Sequence, residues 1–315
     1  MAELRFINRA QVSELLTLDR LRSALEAALV AQSEGRANVP PRIAAVAPAG
    51  LLATMPGHLD DVGLAAKIVT VFPGSKPSHQ GLVMLADPST GRPLAIMDAE
   101  VITERRTAMT AAIAADLLAR IDATVLTIVG AGAQGHTHVQ TFGPLRPWRE
   151  IRIVSRTRSA ARSCAAEARS VFGPGIAIEE FDAVEDAVRG ADVVALCTHA
   201  DDPVIDPSWV GEGTHVSSVG SMAEVPLGLV GPGLVVDQVG AVTAPPPAGA
   251  AELQGMGSAD VIELGSLIAD PSLGRGGDQQ ITVYKSTGHA VQDIAAARVV
   301  FDQAIAGGVG ALVDL

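Results

Sequence analysis

A strand-like run that ends in three glycines, TVLTIVGAGAQG, spans Thr124–Gly135. Its apolar, β-branched part leads directly into Gly130, Gly132 and Gly135, and a helix-like pattern follows. This is the G-x-G-x-x-G pattern in the strand–turn–helix context that dinucleotide binding requires. The first glycine permits a tight turn, the second lets the backbone approach a pyrophosphate, and the third lets helix and strand pack closely. A purely structural turn is the alternative, because 32 glycines in the chain make chance matches common.

Strand and helix patterns alternate from Asp122 onwards. Helices are predicted over 159–172 and 183–189, and 241–257 is predicted as a loop because it is rich in Pro and Gly. The apolar strands among them are IRIVSRT, IAIEEF, DVVALCT, THVSSVG and LVVDQV. This alternation predicts an α/β fold with a Rossmann-type, doubly wound parallel sheet.

The N-terminal part has a different pattern of apolar residues. Apolar residues at helical spacing predict helices over 11–34, with Thr17 or Asp19 as an N-cap. Short β-like runs separated by Pro and Gly turns fill 42–97 and predict an antiparallel or mixed sheet. A helix is predicted over 103–119 with Thr103 as its N-cap, and a last helix starts at Ala290. The sequence thus predicts an α+β domain over residues 1–120 and a dinucleotide domain over 121–295.

Composition excludes several classes of partner. The chain has 315 residues, is 48% hydrophobic and carries a formal net charge of −12, which argues against nucleic acid and anionic membranes as partners. No run of 18 apolar residues suggests a membrane span, and the N-terminal residues lack the apolar core of a signal peptide. A cytoplasmic protein is therefore expected.

The residues after the second predicted strand bear on the choice of nicotinamide cofactor. An acid there would bind the ribose 2′-hydroxyl of NAD, but Ser155, Arg156 and Thr157 occupy this place and Arg158 follows. This favours NADP over NAD, although surface arginines are the plain alternative. The candidate cofactor contacts are Gly130, Gly132, Ala133, Gln134, Gly135, Ser155, Arg156, Thr157, Thr198 and Ser286.

Few charges interrupt the apolar runs of the N-terminal part. Lys67, within GLAAKIVTVFP, either points to solvent or is an inward amine whose lowered pKa suits proton exchange with an amine or imine. Arg42 and Arg106 are candidates to hold a substrate carboxylate, with Arg106 placed in the first turn of its helix. Asp293 is interpreted as a helix-surface acid. The seven histidines form no metal-binding set, so no metal is predicted.

Five segments together resemble the ornithine cyclodeaminase/mu-crystallin family. They are MPGHL (55–59), GLAAKIVTVFPG (63–74), GLVMLADPSTGRPLAIMDAEVITERRTAMTAAIAADLLAR (81–120), TIVGAGAQG (127–135) and ITVYKSTGHAVQDIAAA (281–297). The resemblance implies a homodimer whose N-terminal domain binds substrate, mediates dimerisation and is completed by the C-terminal helix, about 296–315. It also implies NAD(P)-dependent hydride chemistry at the α-carbon of an amino acid or its imine. Arg42 and Arg106 would grip the carboxylate, and Lys67 would assist at the imine.

The sequence departs from ornithine cyclodeaminases at two acidic positions. Members of the family it resembles that act as ornithine cyclodeaminases carry a Glu and an Asp at these places, where this chain has Ala53 and Met222. Asp201, Asp202 or Glu224 could substitute for the missing acids. The leading hypothesis is therefore NAD(P)H-dependent reduction of a small imine, for example a cyclic one, or the reverse amino acid dehydrogenation. The second is ornithine cyclodeaminase, a lyase that recycles its NAD. The third is an NADPH-dependent binding protein without turnover.

Overall fold

The computed structural model of the chain describes residues 3–75, 77–220 and 222–314. The chain divides into two compact units, Met1–Arg106 with His289–Leu315 and Thr107–Gly288. The chain passes from one unit to the other after Arg106 and again after Gly288. Both boundaries lie earlier than the sequence-based ones at 120 and 295. The first falls inside a helix, and the second falls just before one, where no change of composition marks it.

The elements follow one another in chain order, and their bounds are as follows. The first part contains β1 (Glu3–Ile7), α1 (Arg9–Leu15), α2 (Leu18–Ser33), β2 (Ala37–Asn38), β3 (Ile43–Ala47), β4 (Gly50–Leu59), β5 (Gly63–Val71), β6 (His79–Ala86), β7 (Pro93–Asp98) and α3 (Ala99–Leu118). The middle part contains β8 (Val125–Val129), α4 (Ala133–Phe142), β9 (Glu150–Val154), α5 (Arg158–Phe172), β10 (Ala177–Phe181), α6 (Val184–Val188), β11 (Val193–Leu196), β12 (His215–Ser218), β13 (Leu234–Val236), α7 (Gly240–Thr243), β14 (Val261–Glu263), α8 (Leu264–Ala269) and β15 (Thr282–Lys285). The last part contains α9 (Ala290–Gly307) and β16 (Ala311–Asp314).

Short 3₁₀ turns connect several of these elements. They lie at Gly143–Leu145, Gly173–Gly175, Pro207–Trp209, Leu227–Leu229, Ala251–Leu253, Ser258–Asp260 and Pro271–Leu273. Together with α7, the turn at Ala251–Leu253 gives local structure to part of 241–257, which the sequence predicted as a loop.

The first unit is built on a mixed sheet. Its strands follow the order β16-β1-β7-β6-β5-β4-β2, and β3 pairs with β4. Among the described residues its strand pairs are antiparallel except that of β1 with β7. Of the antiparallel or mixed sheet predicted over 42–97, the antiparallel form is confirmed, because the parallel pair involves β1 outside that range. The strands β1 and β16 were not predicted, because both are short and neither carries a long alternating pattern.

Helices α2 and α9 cover one face of this sheet. Helix α9 packs on α2 and lies across β4, β5 and β6. At Gly57 the approach is close, since a Cβ there would lie 3.1 Å from the Ile294 side chain and 3.2 Å from that of Ala290. Inward residues of β4 and β5 are consequently buried at every second position.

Helix α3 begins earlier than the sequence predicted. It starts at Ala99, and Oδ1 of Asp98 accepts a hydrogen bond of 3.0 Å from the backbone N–H of Val101. The predicted N-cap at Thr103 is therefore wrong, because Asp98 at the end of β7 caps the helix one turn before it. Of the two N-cap candidates for α2, Thr17 is confirmed in position, without a side-chain hydrogen bond, and Asp19 lies in the first turn.

The second unit is a doubly wound parallel sheet, as predicted. Its strand order is β10-β9-β8-β11-β12-β15-β13-β14, and the strand pairs are parallel. The first five strands follow the Rossmann order, in which the direction of winding reverses between β8 and β11. The sixth place is taken by β15, which comes after β13 and β14 in the chain. Buried apolar residues of β8, β9, β11, β12, β13 and β15 contribute to its core. Ligands of such sheets bind beyond the carboxyl ends of the strands at this reversal.

Among the described residues, none of the helices combines the length and apolar character that crossing a membrane requires. The same residues contain no group of three or more His, Cys, Asp or Glu side chains placed to hold a metal ion.

Candidate functional site

Lys67 lies on the helix-covered face of the first unit's sheet. In β5 it is paired with Met55 of β4 and Val83 of β6, and both of these neighbours are buried. The lysine itself is only 3% exposed. Of the two sequence-based alternatives for Lys67, the side chain therefore points inward and not to solvent.

The partner of this amine is Asp293 in the first turn of α9. Nζ of Lys67 lies 2.9 Å from Oδ2 of Asp293, and Nε of Arg106 donates to Oδ1 at 3.1 Å. Asp293 is 2% exposed, so its interpretation as a helix-surface acid is wrong. Its end of α9 packs toward the sheet, and a carboxylate is electrostatically favoured near a helix N-terminus.

Arg106 is fixed by a second contact from the same helix. Its Nη1 donates to Oε1 of Gln292 at 2.7 Å. The neighbouring Arg105 turns the other way and donates to the carbonyl oxygens of Ser13 and Leu16 at 2.7 and 2.6 Å. Arg106 follows the start of α3 by about two turns, so its predicted place in the first turn of the helix is wrong. Its side chain is buried.

Burial and neighbouring charges shift the pKa values of this cluster. Burial lowers the pKa of Lys67 from 10.5 to about 8, with Arg106 and Arg42 adding to the effect and Asp293 opposing it. Burial acts to raise the pKa of Asp293, but the charges of Lys67 and Arg106 outweigh it and hold that pKa below its ordinary value. The pair thus joins a lysine of weakened basicity to a carboxylate that stays ionised.

Arg42 is a third cationic side chain that acts on Asp293. The half-buried Arg42 precedes β3 and is near enough for its charge to lower the pKa values of both Lys67 and Asp293. Three cationic side chains, Lys67, Arg106 and Arg42, thus act on the charge of Asp293. Because guanidinium and ammonium groups form charge-assisted hydrogen bonds with carboxylates, this arrangement suits a ligand that carries a carboxylate.

The glycine turn of the second unit has the geometry of its motif. Gly130 has a φ of +101°, and Gly135 approaches it so closely that a Cβ would lie 2.1 Å from the Gly130 carbonyl oxygen. By contrast, a Cβ at Gly132 would meet no described atom within 4 Å. Gly132 is also the N-cap of α4, so open space lies beside the helix N-terminus.

A dinucleotide fits this turn. The backbone amides of Ala133 and Gln134, in the first turn of α4, are among those that an α-helix leaves without an intrahelical acceptor. Such amides and the helix dipole attract phosphate. A side chain at position 132 would fill the open space in which a pyrophosphate would lie.

The segment after β9 is exposed at the position expected for the adenosine ribose. Ser155 is half-buried, and Arg156 and Thr157 are exposed. Oγ1 of Thr157 caps α5 by accepting from the backbone N–H of Ala160 at 3.4 Å. Arg158 is paired with Asp182, since its Nε donates to Oδ1 at 2.8 Å.

Thr198 and Ser286 follow β11 and β15, and each donates to a buried carboxylate. Oγ1 of Thr198 donates to Oε1 of Glu224 at 2.5 Å, and its backbone N–H donates to the same atom at 2.7 Å. Oγ of Ser286 donates to Oδ2 of Asp237 at 2.8 Å. Both carboxylates belong to the second unit, and neither was assigned a partner from sequence.

Comparison with known proteins places this chain. The model of the ornithine cyclodeaminase/mu-crystallin family matches residues 3–308. The chain belongs to this family. Among curated members it is 36% identical to the ketimine reductase mu-crystallin of Mus musculus over 306 residues, which cover 90% of this chain and 94% of that protein.

Two solved structures superpose over nearly the whole chain. The Δ1-pyrroline-2-carboxylate reductase of Thermococcus litoralis, in complex with NADH and L-proline, has a TM-score of 0.88 and 28% identity and covers 98% of this chain and 100% of its own. An archaeal alanine dehydrogenase dimer with bound NAD has a TM-score of 0.90 and 29% identity and covers 99% of both chains. The predicted family and fold class are thus confirmed.

The positions where this chain departs from cyclodeaminases carry no acid. Ala53 is a buried residue of β4. Met222 contributes its carbonyl oxygen to Nζ of Lys285 at 3.0 Å. Of the acids that could substitute, Asp201 and Asp202 are exposed, whereas Glu224 is fully buried and engaged by Thr198.

Sequence reasoning did not predict the burial of three acids. Asp293, Glu224 and Asp237 are all buried, and no local pattern marks the burial of Glu224 and Asp237. The segment ITVYKSTGHAVQDIAAA does place Asp293 in an almost wholly apolar helix start, and that isolation is the one available signal.

Proposed function

We propose that this chain is an NAD(P)H-dependent reductase of small imines of amino acids, cyclic imines among them, and catalyses the reverse amino acid dehydrogenation. The observation that carries the proposal is the buried cluster of Lys67, Asp293 and Arg106. It belongs to a chain whose relatives include proteins named ketimine reductase and Δ1-pyrroline-2-carboxylate reductase. Such substrates combine a carboxylate with a carbon–nitrogen double bond, and the cluster has groups suited to both.

The arginines are proposed to bind the carboxylate of the substrate. Arg106 is held by Asp293 and Gln292, which fixes its orientation before a ligand arrives. Arg42 adds charge without being fully buried. Guanidinium groups recognise carboxylates well because their planar donors match two oxygens.

Lys67 is proposed to manage the proton at the substrate nitrogen. Reduction of an imine adds a hydride to the α-carbon and a proton to the nitrogen, so the protein must supply an acid. An ammonium group with a pKa of about 8 remains largely protonated at neutral pH and gives up its proton more readily than an ordinary lysine. Asp293 favours its charged form and holds its Nζ in place.

The hydride is proposed to come from a reduced nicotinamide, which supplies it when bound. The amides of Ala133 and Gln134 and the open space at Gly132 would hold the pyrophosphate. Ser155, Arg156 and Thr157 would meet the adenosine ribose, with Arg156 favouring the 2′-phosphate of NADP. Thr198 and Ser286 complete the proposed contacts.

A homodimer is proposed as the working form. The archaeal relative is a dimer in its solved structure. On the present chain β3 is exposed along its whole length, including Ile43 at 70% and Val46 at 82%. An apolar strand of this kind suits burial against a second copy. Val46→Glu should therefore weaken the dimer, as measured by light scattering after gel filtration.

Ornithine cyclisation is the less favoured alternative. A distal ammonium needs a carboxylate partner, and the oxygens of Glu224 already accept from Thr198 and Ser218. Ala53 and Met222 add no charge. The third alternative, cofactor binding without turnover, leaves the buried Lys67–Asp293 pair without a role.

A panel of cyclic imines, 2-oxo acids with amines, and ornithine, each with NADH and with NADPH, tests the proposal. We expect a cyclic imine alone to cause net oxidation of the reduced cofactor, and Lys67→Met to lower kcat by a factor of about 10² or more. Release of proline and ammonia from ornithine without net oxidation would instead establish the lyase. Tight cofactor binding with no turnover, unchanged by Lys67→Met, would establish the binding protein.

A further inference from the structure

Two buried carboxylates take the hydroxyl hydrogens of two proposed cofactor contacts. Glu224 accepts from Oγ1 of Thr198 at 2.5 Å, and Asp237 accepts from Oγ of Ser286 at 2.8 Å. Both acids are 0% exposed. The proposed reaction gives neither of them a task.

Glu224 is surrounded by donors. Besides the hydroxyl and the backbone N–H of Thr198, Oγ of Ser218 donates to Oε2 at 2.6 Å and the N–H of Gly220 approaches it at 3.4 Å. Ser218 in turn accepts from Nζ of Lys285 at 3.1 Å, and Lys285 pairs with Glu252 at 2.6 Å. Because a carboxylate only accepts, this network fixes the direction of each bond to it.

The consequence falls on Thr198. A hydroxyl has one hydrogen and two lone pairs. The hydrogen of Thr198 is given to Glu224, so the oxygen can offer only lone pairs to a ligand. The hydrogen of Ser286 is likewise given to Asp237, and its oxygen also accepts from the backbone N–H of Gly288 at 3.2 Å, so one lone pair is left for a ligand.

The position of Thr198 indicates which part of a dinucleotide it would meet. It follows β11, and a Cβ at Gly130 would lie 3.0 Å from its methyl group. In a sheet of this order the two nucleotide halves bind on opposite sides of the reversal, with the pyrophosphate at the glycine turn. Since Ser155 marks the adenosine side after β9, Thr198 and Ser286 belong to the nicotinamide side.

We propose that Glu224 is a positioning residue that sets the Thr198 hydroxyl as a hydrogen-bond acceptor for the nicotinamide nucleoside. That nucleoside has donors to offer, in its ribose hydroxyls and its carboxamide, whereas phosphate oxygens only accept. Asp237 acts on Ser286 in the same way. The inference rests on the proposed function only in requiring that NAD(P)H binds.

Four variants test this inference through binding rather than turnover. Thr198→Val removes the acceptor, and Thr198→Ser keeps it. Glu224→Gln leaves one amide oxygen, which accepts about two hydrogen bonds, for four donors. Glu212→Gln, at an exposed position of the same unit, is the matched control. Dissociation constants are measured for NADH and NADPH, and for the adenosine fragments ADP and 2′,5′-ADP.

Thr198→Val and Glu224→Gln should each weaken the complete dinucleotides about tenfold, which corresponds to the loss of one hydrogen bond. The adenosine fragments should bind as they do to the wild type, and Thr198→Ser and Glu212→Gln should resemble it throughout. The double variant should be no weaker than either single one, because Glu224 acts through the Thr198 hydroxyl.

Other outcomes overturn the inference. If Glu224→Gln weakens the fragments and the dinucleotides equally, or if its effect adds to that of Thr198→Val, the acid only stabilises the fold. If Glu224→Gln fails to fold, unchanged NAD(P)H affinity of Thr198→Val is sufficient to reject the inference. A wild type that binds NAD(P)H normally but reduces no imine contradicts the proposed reductase and leaves this inference standing.

Discussion

Lys67 and Asp293 form a buried ion pair, with 2.9 Å between Nζ and Oδ2, across 226 positions of sequence. The pair joins the middle of β5 to the first turn of α9 within one unit. Asp293 also accepts a hydrogen bond from Arg106, so one carboxylate holds both the lysine of weakened basicity and the arginine of the proposed site.

The pH dependence of imine reduction should report this pair. If protonated Lys67 is the acid, kcat/KM falls as pH rises through about 8, its pKa in the folded protein. Asp293 raises that pKa, so Asp293→Asn should move the fall to lower pH and reduce kcat/KM at neutral pH. Removing one partner of a buried pair should also cost about 3–5 kcal/mol of stability.

Two variants control this experiment. Asp302→Asn alters an exposed acid on the same helix and should leave the pH profile unchanged, with a stability change within about 0.5 kcal/mol. Asp293→Glu keeps the charge and should keep the profile near that of the wild type. A folded Asp293→Asn variant with an unshifted profile would show that Lys67 is not the titrating acid.

Substitutions at two glycines of the turn should affect different properties, cofactor binding in one case and stability in the other. Gly132→Ala adds a methyl group that meets no described protein atom, so the unfolding temperature should hardly change while NAD(P)H affinity falls at least about tenfold. Gly135→Ala places a Cβ 2.1 Å from the Gly130 carbonyl oxygen and should destabilise the protein by about 1–3 kcal/mol. Calorimetric melting and a fluorescence titration measure the two effects. Normal affinity in Gly132→Ala would place the pyrophosphate elsewhere.

Arg156 should decide the choice between NADPH and NADH. It is exposed after β9, while the neighbouring Arg158 is engaged by Asp182. Arg156→Ala should raise the dissociation constant of NADPH about tenfold, the loss of a charge-assisted hydrogen bond, and leave that of NADH almost unchanged. Arg158→Ala is the comparison and should have the smaller effect. A wild type that binds NADH at least about tenfold more tightly than NADPH would reverse the preference.

The sequence was most informative where a local pattern carries the physics. The strand–glycine–helix context of Thr124–Gly135 predicted the glycine turn between β8 and α4, because the conformation of Gly130 and the close approach of Gly135 are local requirements. Lys67 stood out because its neighbours in the strand are apolar. The inward direction of its side chain was left open, since alternation alone does not say which face a helix covers.

What the sequence did not predict depends on long-range contacts. Asp293 was interpreted as a surface acid because nothing near it in sequence indicates that its helix start covers Lys67. The proposed role of Glu224 and Asp237 depends on their hydrogen bonds with Thr198 and Ser286, which follow other strands of the sheet. Local spacing cannot encode such pairings, which arise when separate elements pack.

Transfer of a labelled hydride is the decisive test of imine reduction by this chain. Δ1-Pyrroline-2-carboxylate is incubated with NADH or NADPH that carries deuterium at the transferable position, and the product is analysed by mass spectrometry and NMR. We expect proline with a single deuterium at its α-carbon, formed in step with cofactor oxidation, and much less of this product with Lys67→Met. Failure of this imine and the other imines of the panel to take up deuterium, in protein that binds the cofactor, would contradict imine reduction by this chain.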